Sequence, residues 1–474
     1  MTDERPMAGR FGRLTDGPAS FVLAAVRLVD PSTGTDAVTD LVVTDGIVAT
    51  GGEAAPFRAP RIDAAGLVAA PGFCDLHTHL RAPGDEGAET IDSGTRAAAH
   101  GGFTTVCAMP NTQPALDEPL RVRGLLAEAA GAAARVRVVA AATHGRDGEQ
   151  LTDYGALARA GVVGFSDDGQ AVADAAVVRR AFTYLAPLHV PLIQHAEEPS
   201  LAAGTVMRAG PTATRLGLAG WPPSAELTVV QRDLALAAET GAWIHFTHIS
   251  TAAAVDAIRA TRVAGVRVTA DVTPHHLALA DTWVAGDRRW AWDEGTELDG
   301  TLDAALAYDG ATRVNPPLPA RSDAVALLGA VTDGTIDAIA TDHAPHPPER
   351  KAVPFAEAAP GLIGLETALG IGLEAVAAGQ LELPTLLAAL STRPAALIGE
   401  GRSLAAGSVA DLVVFDPAAQ WTVEPGTLAS RSHNTPLLGR GLPGVVRLTV
   451  AGGRVTYDDG LLAPREASVR VAAR

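Results

Sequence analysis

The sequence predicts an α/β protein, a (β/α)8 barrel of the TIM type with a small β-sandwich domain built from both chain ends. The chain has 474 residues, which is too long for one ordinary small core. Apolar runs alternate with Ala- and Leu-rich helical stretches over roughly 320 residues, which fits eight β/α units. Short β-rich pieces with Asp-Gly and Gly-Gly turns occur at both ends and do not continue this alternation.

Three sections follow from the pattern. Residues 1–18 are expected to form a flexible leader. Residues 19–70 and 396–474 are expected to pair into the small β domain, because FVLAAVRLVD near the start and ADLVVFDP near the end have the same texture. Residues 71–395 are expected to form the barrel.

Residue types that bind metals follow five of the eight predicted barrel strands. The eight runs are GFCDLHTH (72–79), FTTVCAMP (103–110), VRVVAAATH (136–144), GVVGFSDDG (161–169), PLIQHAE (191–197), WIHFTHIS (243–250), VRVTADVTPHH (266–276) and IDAIATDHAPH (336–346). The functional groups of such a barrel lie at the carboxyl ends of its strands. One histidine after an apolar run is more often a core or rim residue. Five runs ending in His or Asp therefore indicate a shared site.

The first run offers the clearest metal-binding pattern. His77 and His79 are two residues apart, so in a strand they face the same side and can bind one ion. Imidazole and carboxylate ligands suit zinc or a similar divalent ion, and a catalytic site leaves one position for water. Cys74 and Cys107 lie inside apolar runs and are expected to be buried hydrophobic residues. The sequence therefore predicts a metal-dependent barrel.

Composition limits the partners. The chain is 47% hydrophobic and 19% charged, with a net charge of −17, which argues against a nucleic-acid or membrane-surface partner. An acidic substrate would need a locally positive pocket. The first residues lack the apolar segment of a signal peptide, and no apolar run reaches transmembrane length. We therefore expect a cytoplasmic protein.

Several motifs together resemble those of one family. PGFCDLHTHLRAPG, GGFTTVCAMPNTQP, FSDDG, HISTAAAV, VTPHHLAL, VNPPL and DAIATDHAPH look like dihydroorotase of the long bacterial type, in the amidohydrolase superfamily. The resemblance runs from about residue 20 to about residue 460. The pattern PGFxDxHxH is shared by many amidohydrolases, whereas HLRAPG with MPNT, NPPL and TDHAPH is far more specific.

The resemblance implies roles for individual residues. The metal ligands would be His77 and His79 for a first ion, His195 and His248 for a second, Asp168 as the bridge, and Asp342 on the first ion. Asp342 would also be the general base. The residues that hold the substrate would be His79, Arg81, Asn111, Asn315 and His346. The cofactor implied is zinc, with one or two divalent ions per chain.

The reaction implied is the reversible cyclisation of N-carbamoyl-L-aspartate to L-dihydroorotate in pyrimidine biosynthesis. Arg81 suits a substrate carboxylate, because a guanidinium binds it with two parallel hydrogen bonds. A homodimer is the assembly that we expect, and an interaction with aspartate transcarbamoylase stays open.

Two features depart from the family pattern. Ala359–Gly361 lacks the aromatic residue that we expect beside the glycine of a substrate-facing loop. The connection 278–314 is longer than expected and carries Trp283, Trp290 and Trp292. We interpret it as a loop with its own small core in preference to a lid or a partner contact.

Two alternatives remain open at this point. A hydantoinase or allantoinase would share the fold, but those relatives normally use a carbamylated lysine as the metal bridge. The only lysine of this chain is Lys351, which follows the eighth run. A non-catalytic scaffold for aspartate transcarbamoylase would be expected to lack metal ligands, whereas here every expected ligand position is filled.

Overall fold

The computed structural model describes residues 9–49, 59–293 and 302–462. Its strands are β1 (Arg10–Phe11), β2 (Phe21–Asp30), β3 (Thr35–Thr44), β4 (Ile47–Ala49), β5 (Arg61–Asp63), β6 (Val68–Pro71), β7 (Phe73–Thr78), β8 (Phe103–Ala108), β9 (Arg135–Ala141), β10 (Gly164–Ser166), β11 (Leu192–Gln194), β12 (Met207–Arg208), β13 (Gly220–Trp221), β14 (Ile244–Phe246), β15 (Val268–Val272), β16 (Ala338–Ile339), β17 (Leu412–Thr422), β18 (Gly441–Ala451) and β19 (Arg454–Asp458).

The helices mostly follow the barrel strands. They are α1 (Ile91–His100), α2 (Pro119–Glu128), α3 (Tyr154–Arg159), α4 (Ala175–Leu185), α5 (Pro199–Ala202), α6 (Pro211–Leu216), α7 (Ser224–Thr240), α8 (Ala252–Val263), α9 (Pro274–Ala278), α10 (Arg321–Asp333), α11 (Pro348–Lys351), α12 (Ala368–Ala377), α13 (Leu383–Leu387) and α14 (Arg393–Leu397). A π-helical turn, Ala388–Thr392, joins α13 to α14. Among the described residues, no helix is both long and apolar enough to span a bilayer.

Eight parallel strands form the predicted barrel, in the order β7-β8-β9-β10-β11-β14-β15-β16. Seven of them lie within the predicted runs, and β9 begins one residue before its run, at Arg135. A parallel bridge between Thr78 and His343 nearly closes the ring between its first and last strands. Fully buried aromatic rings such as Phe103, Phe165 and Phe246 fill the space around the strands. Strands buried on both faces are continuously apolar, which is why these runs could be recognised in the sequence.

Two helices, α8 and α9, begin soon after barrel strands and are capped by threonine side chains. The Thr251 side chain caps α8 by accepting a hydrogen bond from the Ala254 amide, and Thr273 caps α9 through the His276 amide. The cap Thr251 lies three residues after His248, so the chain around this predicted ligand is tightly held.

The small domain is built from both chain ends, as predicted. Its nine strands form one mainly antiparallel sheet in the order β1-β19-β18-β17-β6-β2-β3-β4, with β5 beside β2. The two ends meet where β17 pairs with β6, for example Val414 with Ala69. Phe21, Leu23 and Val414 belong to the separate apolar core of this domain.

The structure describes only part of the leader that the sequence predicts over residues 1–18. Residues 1–8 lie outside the described residues. Arg10–Phe11 pairs with β19, and the Phe11 ring lies 5.2 Å from the Tyr457 ring. Residues 10 and 11 therefore belong to the sheet. The division into 19–70 with 396–474 and 71–395 stays a prediction.

The tryptophans of the 278–314 connection are packing residues where the structure describes them. Trp283 and Trp290 are buried in an apolar cluster that also contains Leu279 and Leu442. The Arg440 guanidinium stacks 3.7 Å from the centre of the Trp290 ring. The connection therefore has a core shared with β18, while residues 294–301 lie outside the described part.

Candidate active site

The six predicted metal ligands meet at the carboxyl end of the barrel as two adjoining groups. In the first, His77 Nε2 and His79 Nε2 are 3.3 Å apart, and Asp342 Oδ1 lies 3.4 Å and 3.0 Å from them. A tetrahedral zinc ion with bonds of about 2.0–2.1 Å separates its ligand atoms by about 3.3–3.4 Å. The spacing of this group therefore fits a metal ion.

The second group contains His195 and His248. His195 Nδ1 and His248 Nε2 are 3.0 Å apart. Asp168 lies between the two groups: Oδ1 is 3.4 Å from His248 Nε2, and Oδ2 is 3.3 Å from His77 Nε2. One carboxylate thus turns one oxygen to each group, which is the arrangement that a bridge between two ions needs.

Hydrogen-bond accounting around His79 favours a bound cation. Its Nδ1–H donates to Asn111 Oδ1 at 2.8 Å, and Asn111 Nδ2 donates to Asp168 Oδ2 at 3.4 Å. The opposite orientation of the Asn111 amide is unfavourable, because it would place the amide oxygen against the Asp168 carboxylate. The observed orientation in turn places the His79 proton on Nδ1. With the proton on Nδ1, the lone pair of His79 Nε2 faces the Asp342 carboxylate, and a metal cation between these two acceptors would satisfy both.

A second chain of hydrogen bonds fixes His77. The Thr247 hydroxyl donates to Asp271 Oδ1 at 3.3 Å and accepts from His77 Nδ1 at 2.7 Å, which leaves Nε2 directed at the metal position. Asp271 also accepts from the His248 amide at 2.6 Å and from His245 Nε2 at 2.9 Å. His245, which lies beside the predicted ligands in the sequence, therefore supports them from behind.

Two buried carboxylates make the metal position strongly negative. Burial disfavours a charged imidazole, but the charges of Asp168 and Asp342 outweigh it and raise the pKa of His77 to about 10. Burial works against ionisation of Asp168, yet His77, His195 and His248 hold the pKa of this carboxyl well below its usual range. Asp168 Oδ1 is nevertheless buried without a hydrogen-bond partner. A bound divalent cation would compensate this negative charge.

Three site residues adopt backbone conformations that are unusual for L-amino acids. Arg81, His248 and Asp342 have φ angles of +57°, +42° and +46°. Strained backbone persists where the surroundings enforce it, and it concentrates at functional sites. Each of the three residues follows a barrel strand, so the strain sets the direction in which its side chain leaves the barrel.

The predicted substrate residues line one cavity together with most of the metal ligands. The cavity is about 200 Å³ in volume and is lined by His79, Arg81, Asn111, Asp168, Gly169, His195, His248, Asn315, Asp342, Ala344, His346, Pro360 and Gly361. A larger cavity of about 700 Å³ shares His346 but contains none of the predicted metal ligands. The smaller cavity is therefore the candidate active site.

Arg81 contributes a positive charge to the wall of this cavity. Its Nε donates to the Pro345 carbonyl at 3.1 Å, and among the described residues it forms no ion pair with a carboxylate. Burial lowers the pKa of Arg81 from its ordinary value, but a guanidinium stays charged at neutral pH. A buried guanidinium without a carboxylate partner is suited to an anionic ligand.

Asn315 and His346 reach the cavity from two further loops. The Asn315 side-chain nitrogen lies 3.2 Å from His195 Nε2. His346 Nε2 donates to the Pro360 carbonyl at 2.8 Å, and burial, followed by the Arg81 charge, lowers the pKa of His346 to about 3. His346 is therefore neutral near pH 7 and keeps an Nδ1 lone pair that is buried without a partner.

Other polar residues near the strand ends have supporting positions. Asp167 accepts from the Ala142 and Thr143 amides, so it holds a loop and does not face the metal position. His276 bonds the Pro316 carbonyl at 2.9 Å, next to Asn315. Asp271 and Thr247 were not predicted as site residues. Asp271 could have been recognised as a candidate site residue, because it is an acidic residue inside the apolar run VRVTADV.

Comparison with known proteins identifies the family. The family described as "Dihydro-orotase-like" matches residues 66–254. A dihydroorotase of Anaeromyxobacter sp. (strain K) is 44% identical over 438 residues, which cover 92% of this chain and 97% of that protein. The chain belongs to the dihydroorotase family. The dihydroorotase of Mycobacterium tuberculosis is also 44% identical, over 89% of this chain and 95% of that protein.

Solved structures confirm the barrel architecture of this dihydroorotase-family chain. L-Hydantoinase (dihydropyrimidinase) from Arthrobacter aurescens has a TM-score of 0.78 at 23% identity and covers 92% of this chain and 96% of its own. D-Hydantoinase (dihydropyrimidinase) from Thermus sp. has a TM-score of 0.74 at 23% identity, with 93% and 96% covered. At this identity the likeness concerns the fold. The amidohydrolase barrel predicted from the sequence is confirmed.

Proposed function

We propose that this enzyme is a dihydroorotase that catalyses the reversible cyclisation of N-carbamoyl-L-aspartate to L-dihydroorotate. One observation supports this substrate most directly: Arg81, which is buried and has no ion-pair partner among the described residues, lines the same cavity as the metal-ligand groups. Both the open and the closed substrate carry a carboxylate that such a guanidinium can bind through two hydrogen bonds.

The residues that would hold the metal are His77, His79 and Asp342 at one position and His195 and His248 at the other, with Asp168 between them. When bound, a divalent metal supplies Lewis-acid chemistry, because it lowers the pKa of water and polarises a carbonyl oxygen. Two imidazole–carboxylate groups of this spacing, His77–Asp168–His248 and His77–His79–Asp342, support this assignment. Zinc is the metal that we propose, since imidazole and carboxylate ligands suit it.

Asp342 is the proposed proton carrier. Its carboxyl group lies in the cavity beside His77 and His79, and although burial opposes ionisation, the charge on His77 holds its pKa below the ordinary value. Asp342 is thus unprotonated at neutral pH. In hydrolysis it takes a proton from the attacking water and delivers it to the amide nitrogen of the opening ring; cyclisation reverses these transfers.

The remaining side chains orient the substrate. Arg81 binds the carboxylate, and the amide of Asn315 donates a neutral hydrogen bond. His346, neutral with a free Nδ1 lone pair, is suited to accept from a ring N–H. Asn111 has two proposed tasks, because it lines the cavity and also holds His79 and Asp168. These contacts place the reacting carbonyl beside the metal ligands and Asp342.

The bridge should not depend on carbon dioxide. Asp168 supplies the carboxylate directly, whereas Lys351 bonds three backbone carbonyls and lies outside both ligand groups. Metal-free enzyme refilled with zinc in degassed, bicarbonate-free buffer should recover full activity. A requirement for bicarbonate, or a carboxyl-group mass added to Lys351, would contradict the Asp168 bridge and favour a hydantoinase-type centre.

The equilibrium reached by the enzyme should shift towards ring closure at low pH. N-Carbamoyl-L-aspartate carries two carboxylates and dihydroorotate one, so closure consumes one proton. The product ratio should change about tenfold per pH unit near neutrality, because neither compound titrates there. Chromatography of reactions started from each side tests this. A ratio that the enzyme approaches from both sides but that does not move with pH would exclude this reaction.

The cellular setting rests on the family resemblance and composition. We infer a cytoplasmic enzyme of pyrimidine biosynthesis that acts on a small molecule and forms a homodimer. The resemblance also implies an assembly with aspartate transcarbamoylase as a further interaction to test. Light scattering coupled to gel filtration, with and without the transcarbamoylase, tests both assemblies; a monomer that does not co-elute would exclude them.

A further inference from the structure

The only lysine of the chain lies behind the active-site cavity in a cradle of backbone carbonyls. Lys351 is the last residue of α11, and only 9% of its surface is exposed. Its Nζ donates to the carbonyl oxygens of Arg313 at 3.2 Å, Ala359 at 2.7 Å and Gly361 at 2.9 Å. An ammonium group has three donors, so this cradle uses all of them.

The three carbonyls belong to two loops that supply the cavity wall. Arg313 lies two residues before Asn315, whose side chain lines the cavity. Ala359 and Gly361 enclose Pro360, and Pro360 and Gly361 line the same cavity. The Gly361 amide also donates to the Arg313 carbonyl at 2.9 Å. Lys351 therefore ties both loops together at the point where they touch.

The loop Ala359–Gly361 is tightly packed, so it has little freedom to rearrange around Lys351. Gly361 has a φ of +127°, and a Cβ there would lie 2.7 Å from Ala344 Cβ. Asn434 Nδ2 donates to the Gly361 carbonyl at 3.1 Å, and Pro360 accepts from His346. Burial keeps the ammonium poorly solvated and lowers the pKa of Lys351 to about 7. A buried ammonium group without hydrogen-bond acceptors would be costly, so the three carbonyls stabilise Lys351 while Lys351 holds the two loops.

We propose that Lys351 is a positioning residue of the substrate site, which fixes the loop bearing Asn315 against the loop Ala359–Gly361. The inference rests on the proposed function for its kinetic consequence, because those loops would hold dihydroorotate. Lys351 does not line the 200 Å³ cavity itself. It acts through Asn315 and through the backbone around Pro360.

The test compares Lys351→Met with Arg262→Met. Arg262 likewise holds a backbone carbonyl, that of Gly334 at 2.7 Å, but on a turn that precedes β16 at the other end of the barrel. We expect Lys351→Met to raise KM for dihydroorotate roughly 10- to 100-fold, since a charged hydrogen-bond donor is lost. Hydrogen exchange measured by mass spectrometry should become faster in peptides 311–317 and 357–364. Arg262→Met should change neither quantity.

Wild-type KM and unchanged exchange in both peptides of Lys351→Met would overturn the inference. If Lys351→Met does not fold, Lys351→Arg gives the same test, because a planar guanidinium cannot match three carbonyls arranged around one nitrogen. Absence of dihydroorotate turnover in the wild type would reject the proposed function alone. The exchange measurement would then still decide whether Lys351 fixes the loops.

Discussion

Asp342→Asn should fold normally and lose nearly all turnover in both directions. The asparagine is close in shape but cannot take the proton of the attacking water. Loss of a general base costs on the order of 10²–10⁴-fold, and loss of a metal ligand adds to that. In the structure, Asp342 Oδ1 lies 3.0 Å from His79 Nε2, within the group of proposed metal ligands. Initial rates of ring opening and closure measure the effect.

Asp147→Asn is the matched control. Asp147 is an exposed carboxylate that accepts a hydrogen bond from the Glu149 amide at 2.9 Å and does not line the cavity, so this change removes the same charge from a residue outside the cavity wall. Its rates should equal those of the wild type. Near-wild-type kcat in Asp342→Asn, with metal content and thermal unfolding unchanged, would remove Asp342 from the mechanism.

Arg81→Lys should weaken substrate binding and lower kcat/KM strongly. A lysine ammonium keeps the charge but cannot form the two parallel hydrogen bonds of a guanidinium. Charged hydrogen bonds to a buried partner are worth about 1.5–3 kcal/mol, so the loss should be roughly 10- to 100-fold for each bond broken. Steady-state kinetics with dihydroorotate measure the loss in KM and kcat.

Arg350→Lys provides the comparison for this variant. Arg350 is an exposed arginine that donates to Asp85 at 2.7 Å and 3.1 Å, so its guanidinium is already paired. We expect only small kinetic changes there. Unchanged KM and kcat in Arg81→Lys would show that the Arg81 guanidinium does not bind the substrate carboxylate.

The barrel and the cluster of His and Asp side chains at its carboxyl end could be predicted because both leave local signals. Buried parallel strands are apolar over their whole length, and the predicted ligands lie at or just after their ends, as His79 follows β7 and Asp342 follows β16. The small domain was also accessible, since both ends have β-rich texture. The pairing of Arg10–Phe11 with β19 was not, because a two-residue strand has no periodicity.

The supporting residues could not be predicted, because their partners are distant in the sequence. Thr247 lies 170 residues from His77, whose tautomer it fixes. Lys351 was recognised as the single lysine, but its three carbonyl partners become evident only in the folded chain. The positive φ of Asp342 likewise follows from its surroundings and not from its residue type.

The most direct test of the proposed function is the substrate preference of zinc-loaded enzyme. The same preparation should be assayed with L-dihydroorotate and with hydantoin, a cyclic amide without the carboxylate. When hydantoin is bound, Arg81 has no carboxylate to pair with and stays buried as an unpaired charge. The kcat/KM for dihydroorotate should therefore be at least about 100-fold higher than that for hydantoin. Chelation of the metal should abolish that turnover. Turnover of hydantoin at an equal or higher kcat/KM would contradict the assignment as a dihydroorotase.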